Sequence, residues 1–215
     1  MAKIKQGILG GFSGKVANVV GTSWKGRAVM KSQPLSVANP RTEAQTEQRG
    51  KFSEIAKLAS KILTTFVQPV ENPIAGNISG YNKFVQDNKT AFDATGTIGL
   101  SRFHCGGGRL VGITLTTKTA DVATQKISLG WTNDESLSPL RLTDKVYAAV
   151  FTNKGVFLGV SSGEVTREDA AIEITASDFG GSFTAATPVF VLIACVSADG
   201  RDVSVFTNAQ GMTAA

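Results

Sequence analysis

The chain has 215 residues, of which 42% are hydrophobic and 18% charged, a composition typical of globular proteins and unlike that of disordered chains. Residues 1–42 carry seven cations and no acid, a net charge of +7, whereas the remaining residues hold 15 cations and 17 acids, a net charge of −2. This asymmetry indicates an N-terminal arm that binds an acidic partner, either nucleic acid or an acidic face of a neighbouring subunit, the alternative being a solvated polar arm without a partner.

The first lysines are not followed by the apolar run of a secretory signal peptide. No stretch approaches the ~18 apolar residues of a membrane span, so a membrane partner is not expected. We therefore predict synthesis in a reducing cytoplasm, where Cys105 and Cys195 would be free thiols.

Residues 1–38 are predicted to form a basic, glycine-rich extended arm, because glycines this dense disfavour a helix. Two β-like runs, Lys15–Val20 and Arg27–Lys31, predict a small hairpin. The apolar side chains of such an arm should pack on its own body or on a neighbour. The predicted assembly interface consists of Phe12, Val16, Val20, Trp24, Val29 and Met30. The cations predicted to contact phosphates or an acidic partner are Lys3, Lys5, Lys15, Lys25, Arg27, Lys31 and Arg41.

Residues 39–104 are predicted to be a helical segment. Thr42 and Gln45 fit a capping box, and apolar residues at helical spacing follow, which predicts a helix over about 43–67 that ends at Pro69. Gly50 is a weak point in this helix. A second helix over about 79–92 would complete a helical hairpin. The apolar positions that share one face of the first helix are Phe52, Ile55, Ala56, Ala59, Ile62, Leu63 and Phe66.

Residues 105–215 change to short β-rich runs separated by turns. Seven runs in about 100 residues predict an immunoglobulin or fibronectin-like β-sandwich, so the whole chain is assigned to the α+β class. Trp131 is expected in the sandwich core, and the stretch Cys105–Gly108 is expected to be a link between helices and sandwich. The predicted strands are Arg109–Thr117, Gln125–Thr132, Lys145–Asn153, Val156–Ser161, Ala171–Ala176, Pro188–Ser197 and Val203–Thr207.

Catalytic motifs are poorly represented. The stretch Gly159–Gly163 fits the G-x-S-x-G pattern of hydrolases, but that motif needs a following helix and a later histidine, and the sole histidine, His104, precedes it. One histidine and two distant cysteines do not make a zinc site without acidic help. We therefore predict a non-enzymatic protein without cofactor, metal or small-molecule substrate.

Two features of the arm allow a nucleic-acid interpretation. The stretch Gly10–Lys15 lacks the complete phosphate-loop pattern, although the backbone amides of a glycine-rich loop can hold a phosphate. Basic residues also alternate with Phe12 and Trp24, a mixture that can neutralise phosphates and stack on bases. Packing within a hairpin is the alternative explanation for this pattern.

Three stretches together resemble an uncharacterised protein family of Bacteroidota and their phages and prophages. They are Gly7–Gly14 with Ser23–Arg27, the segment Asn39–Gln45 running on to Arg49 and Phe52, and Gly80–Val85. The resemblance covers residues 1–90 best and implies a virion or prophage context, without assigning a role to any residue.

These observations lead to two functional hypotheses. The first is a structural virion protein, capsid-associated, connector or tail component, made in the bacterial cytoplasm and assembling with itself and other virion proteins through its arm. The alternative is a packaging protein whose basic arm contacts genome phosphates.

Overall fold

The computed structural model describes residues 3–4, 10–24, 26–34, 36, 39–93, 96–133 and 137–215, without the side chains of residues 3, 4, 24 and 162. The chain divides into two compact units, Met1–Thr42 and Glu43–Ala215. Each unit has its own secondary structure.

The N-terminal unit is a four-stranded antiparallel sheet with the strand order β1-β2-β3-β4. The strands are β1 (Lys3–Ile4), β2 (Phe12–Val16), β3 (Val19–Trp24) and β4 (Arg27–Ser32). The predicted strand Lys15–Val20 is wrong, because a two-residue turn at Ala17 and Asn18 separates β2 from β3. The unit is therefore a meander rather than a single hairpin.

The helices of the second unit are α1 (Glu43–Lys61), α2 (Gln68–Glu71) and α3 (Gly80–Asp87). A π-helical turn over Leu63–Val67 joins α1 to α2. Pro69 does not end the helical backbone as predicted, because it lies in the first turn of α2, which follows the π-helical turn directly. Ser79 caps α3 by accepting a hydrogen bond from the Asn82 N–H, and α3 ends earlier than predicted.

Seven strands of the second unit form two sheets. One has the order β10-β7-β6 and the other the order β13-β11-β8-β9. A separate pair is formed by β5 (His104–Cys105) and β12 (Thr207–Asn208). The strands of the two sheets are β6 (Leu115–Asp121), β7 (Lys126–Trp131), β8 (Lys145–Thr152), β9 (Phe157–Thr166), β10 (Ala171–Thr175), β11 (Pro188–Val196) and β13 (Gln210–Thr213).

The sheet that contains β8 and β11 is covered on both faces. Alternate residues of β8 point in opposite directions: Phe151 belongs to a buried cluster shared with the helices, and Val150 to a cluster shared with the other sheet. Trp131 lies in the second cluster, as predicted. The order of layers is therefore helices, four-stranded sheet, three-stranded sheet. The division predicted at residues 104 and 105 consequently lies inside one compact unit.

Two of the strands predicted within residues 105–215 are also wrong. Only Leu115–Asp121 of the first region pairs as a strand, whereas Leu110 makes an isolated bridge to Ser204. The final strand of the four-stranded sheet is Gln210–Thr213 rather than Val203–Thr207. The two mispredicted segments contact each other. Residues 108–110 and 203–205 are joined by single backbone hydrogen bonds, which do not form the regular ladder of a β-sheet.

The stretch Cys105–Gly108, predicted to link the helices to the β-rich region, is a packed joint. The Asn88 side chain fixes its start, because Oδ1 accepts from the His104 N–H and Nδ2 donates to the His104 carbonyl, both at 2.9 Å. The N–H groups of Gly107 and Gly108 both donate to the Ser204 carbonyl at 3.0 Å. Cys105 is buried and, like Cys195, is a free thiol, as predicted.

Candidate assembly interface

Register in the N-terminal sheet separates its side chains onto two faces. Residues paired across strands lie on one face, and neighbours along a strand alternate. Lys15 pairs with Val20, and Val20 pairs with Lys31. Alternation along β4 adds Val29 and Arg27 to the same side. We call this the cationic face, composed of Ser13, Lys15, Val20, Thr22, Arg27, Val29 and Lys31.

The opposite face has no charged side chain among the described residues. Gly14 pairs with Gly21, which pairs with Met30, and Val16 pairs with Val19. We call this the uncharged face, composed of Phe12, Gly14, Val16, Val19, Gly21, Ser23, Ala28, Met30 and Ser32. The predicted interface residues therefore do not share one surface: Phe12, Val16 and Met30 lie on the uncharged face, and Val20 and Val29 on the cationic face.

Strands β2 and β3 approach each other closely at Gly21 on the uncharged face. Gly21 is the one buried residue among those described in this sheet. A Cβ atom at Gly21 would lie 2.2 Å from the carbonyl oxygen of Phe12, so a larger residue cannot be placed there without moving β2. Ala17 adopts a positive φ of 47° in the turn that leads into β3.

The sheet exposes most of its large apolar side chains. Met30 is 70% exposed, Val16 54%, Val19 40% and Val29 38%. Val19 was absent from the predicted interface, and the predicted strand Lys15–Val20 ran through both Val16 and Val19, which instead pair across β2 and β3. Recognising Asn18 as a turn residue would have placed Val16 and Val19 opposite each other.

The predicted cations are only partly described. Lys15, Arg27 and Lys31 are exposed on the cationic face, and Arg41 is exposed in the segment before α1. Lys5 and Lys25 lie outside the described residues. For Lys3 and Trp24 the structure gives the backbone pairing alone, with Ser13 and Arg27 respectively.

The G-x-S-x-G stretch lies within strand β9 and lacks the strand–turn–helix context of a nucleophile. Gly163 has a positive φ of 76° at a bulge opposite Tyr147, and a Cβ atom there would lie 2.4 Å from the tyrosine ring. The motif therefore has a structural explanation in the pairing of β9 with β8.

Two ionic clusters are buried in the second unit. Glu71 is 1% exposed; its Oε1 accepts from the Gly106 N–H at 3.0 Å, and its Oε2 lies 3.5 Å from Lys83 Nζ. Lys83 also contacts Asp87 at 2.5 Å. In the other cluster, Asp144 lies 3.6 Å from the buried Arg167 guanidinium.

Burial raises the pKa of Glu71 above its ordinary value, although the Gly106 N–H and Lys83 oppose this change. A raised carboxyl pKa stabilises the fold at low pH, and this stabilisation is lost as the pH rises through the folded-state pKa. We therefore expect Glu71→Gln to gain stability relative to the wild type as the pH rises from about 4 to 8, because glutamine keeps the acceptor for Gly106 but carries no charge. Urea unfolding at several pH values measures this effect, and Glu173→Gln, at an exposed position, is the control. The prediction is contradicted if the free energy of unfolding of Glu71→Gln falls relative to that of the wild type as the pH rises.

Two grooves flank helix α1. The first has a volume of about 860 Å³. Its lining consists of four acidic residues, two lysines, one threonine and two glycines: Glu43, Glu47, Glu54, Asp93, Lys51, Lys154, Thr46, Gly50 and Gly96. The second, of about 830 Å³, is more apolar and is bordered by Phe52, Ala56 and Tyr81 together with Arg49, Lys57 and Lys61. Phe52 was predicted to face the core, but it is 53% exposed beside this second groove.

Within the described parts of the chain, no three His, Cys, Asp or Glu side chains converge as metal ligands would. None of the described helices combines the length and apolar character needed to cross a bilayer.

Residues 11–209 match the model of a "Family of unknown function (DUF6266)", and the chain therefore belongs to this family. The prediction of a family without an established function is confirmed, while the assignment to Bacteroidota, the phage origin and the motifs that suggested them stay predictions. Among proteins with curated descriptions, none matches the sequence.

Solved structures resemble part of the chain. The adhesin domain of Epf from Streptococcus pyogenes is 13% identical, with a TM-score of 0.36 over 48% of this chain and 32% of that one. The fn3 domain of human contactin 1 is 10% identical, with a TM-score of 0.31 over 50% of this chain and 79% of that one. The chain thus spans about a third of the adhesin domain's length.

Proposed function

We propose that this member of the DUF6266 family is a structural, non-enzymatic virion protein that assembles with other subunits through its N-terminal sheet. The observation that carries the proposal is the exposure of Val16, Val19 and Met30 on the uncharged face. A small sheet needs a covered apolar face for stability, and exposed apolar patches on soluble proteins commonly mark interaction sites. A neighbouring subunit would supply that cover.

The virion context rests on a separate argument. The motifs around Asn39–Gln45 and Gly80–Val85 resemble phage-encoded proteins. A capsid-associated, connector or tail position fits a protein that attaches through a distinct N-terminal unit while a larger body presents a surface. We also propose that the body is a fibronectin-type sandwich, since its seven strands divide into sheets of three and four with the orders β10-β7-β6 and β13-β11-β8-β9.

Removal of residues 1–38 is the direct test. We expect the full chain to sediment as an oligomer and the shortened chain as a folded monomer. Both large buried clusters lie within residues 43–215, so the shortened chain keeps its core. Sedimentation velocity at 0.1 M and 1 M salt makes the measurement, with circular dichroism to confirm folding. A full chain that stays monomeric at high concentration would overturn the proposal.

The second candidate is binding of genome phosphates by the cationic face. Lys15, Arg27 and Lys31 share this face, which carries no acid among the described residues. Binding through phosphates weakens steeply as salt rises, because counterions are released on association. DNA retention that falls about tenfold or more between 50 and 200 mM salt, and that disappears with residues 1–38, would favour this candidate. Assembly through apolar contacts would persist at high salt.

A further inference from the structure

The first eight residues of α1, Glu43–Gly50, are exposed on every side of the helix. Helices in proteins gain most of their stability from packing of an apolar face, and a short helical stretch without such packing is marginal. Ala44 is the only apolar side chain in this stretch. The exposed turns of α1 therefore offer a surface that a partner could cover.

One side of these turns is acidic. Glu43, Glu47 and Glu54 are spaced by four and seven residues, which aligns them along the helix. They line the first groove together with Asp93, Lys51 and Lys154, so four carboxylates face two lysines and the net charge is −2. The pairs Glu47–Lys51, at 2.6 Å, and Glu54–Lys57, at 2.8 Å, are partly exposed. Exposed pairs of this kind are weak, so a multivalent cationic surface can compete for the carboxylates.

Gly50 lies between Glu47 and Glu54 on this side of the helix. A glycine in a helix interior is about 1 kcal/mol less favourable than alanine. Nothing lies within 4 Å of the position its Cβ would occupy, so no contact in the chain requires the missing side chain. Close approach of another molecule would explain why a glycine stands there.

The cationic face of the N-terminal sheet matches this surface in charge and dimensions. Lys15 and Lys31 lie in one cross-strand row, two strand spacings or about 10 Å apart. Arg27 and Lys31 are four residues apart along β4, about 13 Å. The rise along α1 is about 10 Å from Glu47 to Glu54 and about 16 Å from Glu43 to Glu54.

We propose that the cationic face of one subunit docks on the acidic side of α1 in a second copy of the chain. Lys15, Arg27 and Lys31 then pair with the α1 glutamates, and Val29, between the two cations of β4, lies against the gap at Gly50. This inference rests on the proposed function, assembly through the N-terminal sheet, and adds to it a receiving surface for the cationic face; the uncharged face on the opposite side of the sheet stays available to a further subunit. Because donor and receiver differ, repeated contacts of this type are head-to-tail and build rings or filaments.

Reciprocal charge reversal in the full chain tests the docking. The sheet variant carries Lys15→Glu, Arg27→Glu and Lys31→Glu, and the helix variant carries Glu43→Lys, Glu47→Lys and Glu54→Lys. We expect each variant alone to associate at least tenfold more weakly than the wild type in sedimentation velocity, and an equimolar mixture to associate again. A matched control reverses exposed cations of the sandwich, Lys118→Glu, Lys126→Glu and Arg201→Glu, and should assemble normally.

Substitution of Gly50 provides a test without charge change. Gly50→Leu should weaken association by blocking close approach, while circular dichroism shows an intact helix. If the wild type associates through residues 1–38 but the charge variants and Gly50→Leu assemble like the wild type, or the mixture does not associate, the docking is wrong and the proposed function stands. If the wild type is monomeric, the proposed function itself fails. A sheet variant that loses DNA retention, with helix variants unaffected in assembly, assigns the face to nucleic acid instead.

Discussion

Alanine in place of Phe103 is expected to lower the free energy of unfolding by about 3–5 kcal/mol, the usual cost of removing a fully buried aromatic ring. Phe103 is 0% exposed and lies between the helices and the four-stranded sheet. Its ring packs edge-on against two other rings. The distance between ring centroids is 5.9 Å to Phe84 of α3 and 5.2 Å to Phe151 of β8. Removing the ring therefore leaves a cavity between the helices and the four-stranded sheet.

Urea unfolding at neutral pH measures the Phe103→Ala effect. Phe179→Ala is a suitable control, because Phe179 also makes an edge-on aromatic contact, with Phe157 at 5.7 Å, but is 43% exposed. We expect the control to cost about 1 kcal/mol or less. An equal decrease in the free energy of unfolding for the two variants would show that the helices and the four-stranded sheet do not share one core.

Gly108→Ala is expected to destabilise the protein by about 3 kcal/mol or more, since overpacking against immovable backbone is among the costlier substitutions. A Cβ atom at this position would lie 2.2 Å from the carbonyl oxygen of Val203 and 2.8 Å from its carbonyl carbon. That oxygen accepts a hydrogen bond from the Leu110 N–H at 3.0 Å. Relief of the clash would therefore break a backbone hydrogen bond in the joint.

The matched control for this substitution is Gly50→Ala, in which the added Cβ meets nothing within 4 Å. It should raise stability by about 0.5–1 kcal/mol, the difference in helix propensity between glycine and alanine. Thermal and urea unfolding of both variants make the comparison. An unchanged denaturation midpoint for Gly108→Ala would mean that the two backbone segments are not in contact.

Strands β8 and β11 could be predicted from the sequence to within one residue, because long apolar runs bounded by polar residues leave little choice of position. The buried positions Ile55, Ala59 and Ile62 of α1 were likewise evident from helical spacing. The three-layer order was not predictable. Both faces of β8 and β11 are apolar, and a run of this type does not say which neighbour covers each face.

The irregular joint was missed for a different reason. Segments 108–110 and 203–205 are held by single hydrogen bonds between residues about a hundred positions apart, and side-chain periodicity carries no trace of such contacts. For the candidate interface, the apolar and cationic residues could be identified from the sequence, but the face of the sheet on which each one lies could not. The alternation of Arg27, Val29 and Lys31 is visible in the sequence, whereas separation of Val16 from Val20 depends on the turn at Ala17 and Asn18.

The double covering of the four-stranded sheet limits where this polypeptide can be cut. A fragment beginning at residue 105 would bare one whole side of β8 and β11, including Phe151 and Leu192, to water, and should precipitate rather than fold. The helices thus cover one face of the four-stranded sheet and share its buried cluster. The boundary between the two compact units lies instead just before Glu43, so a fragment that begins there keeps both buried clusters.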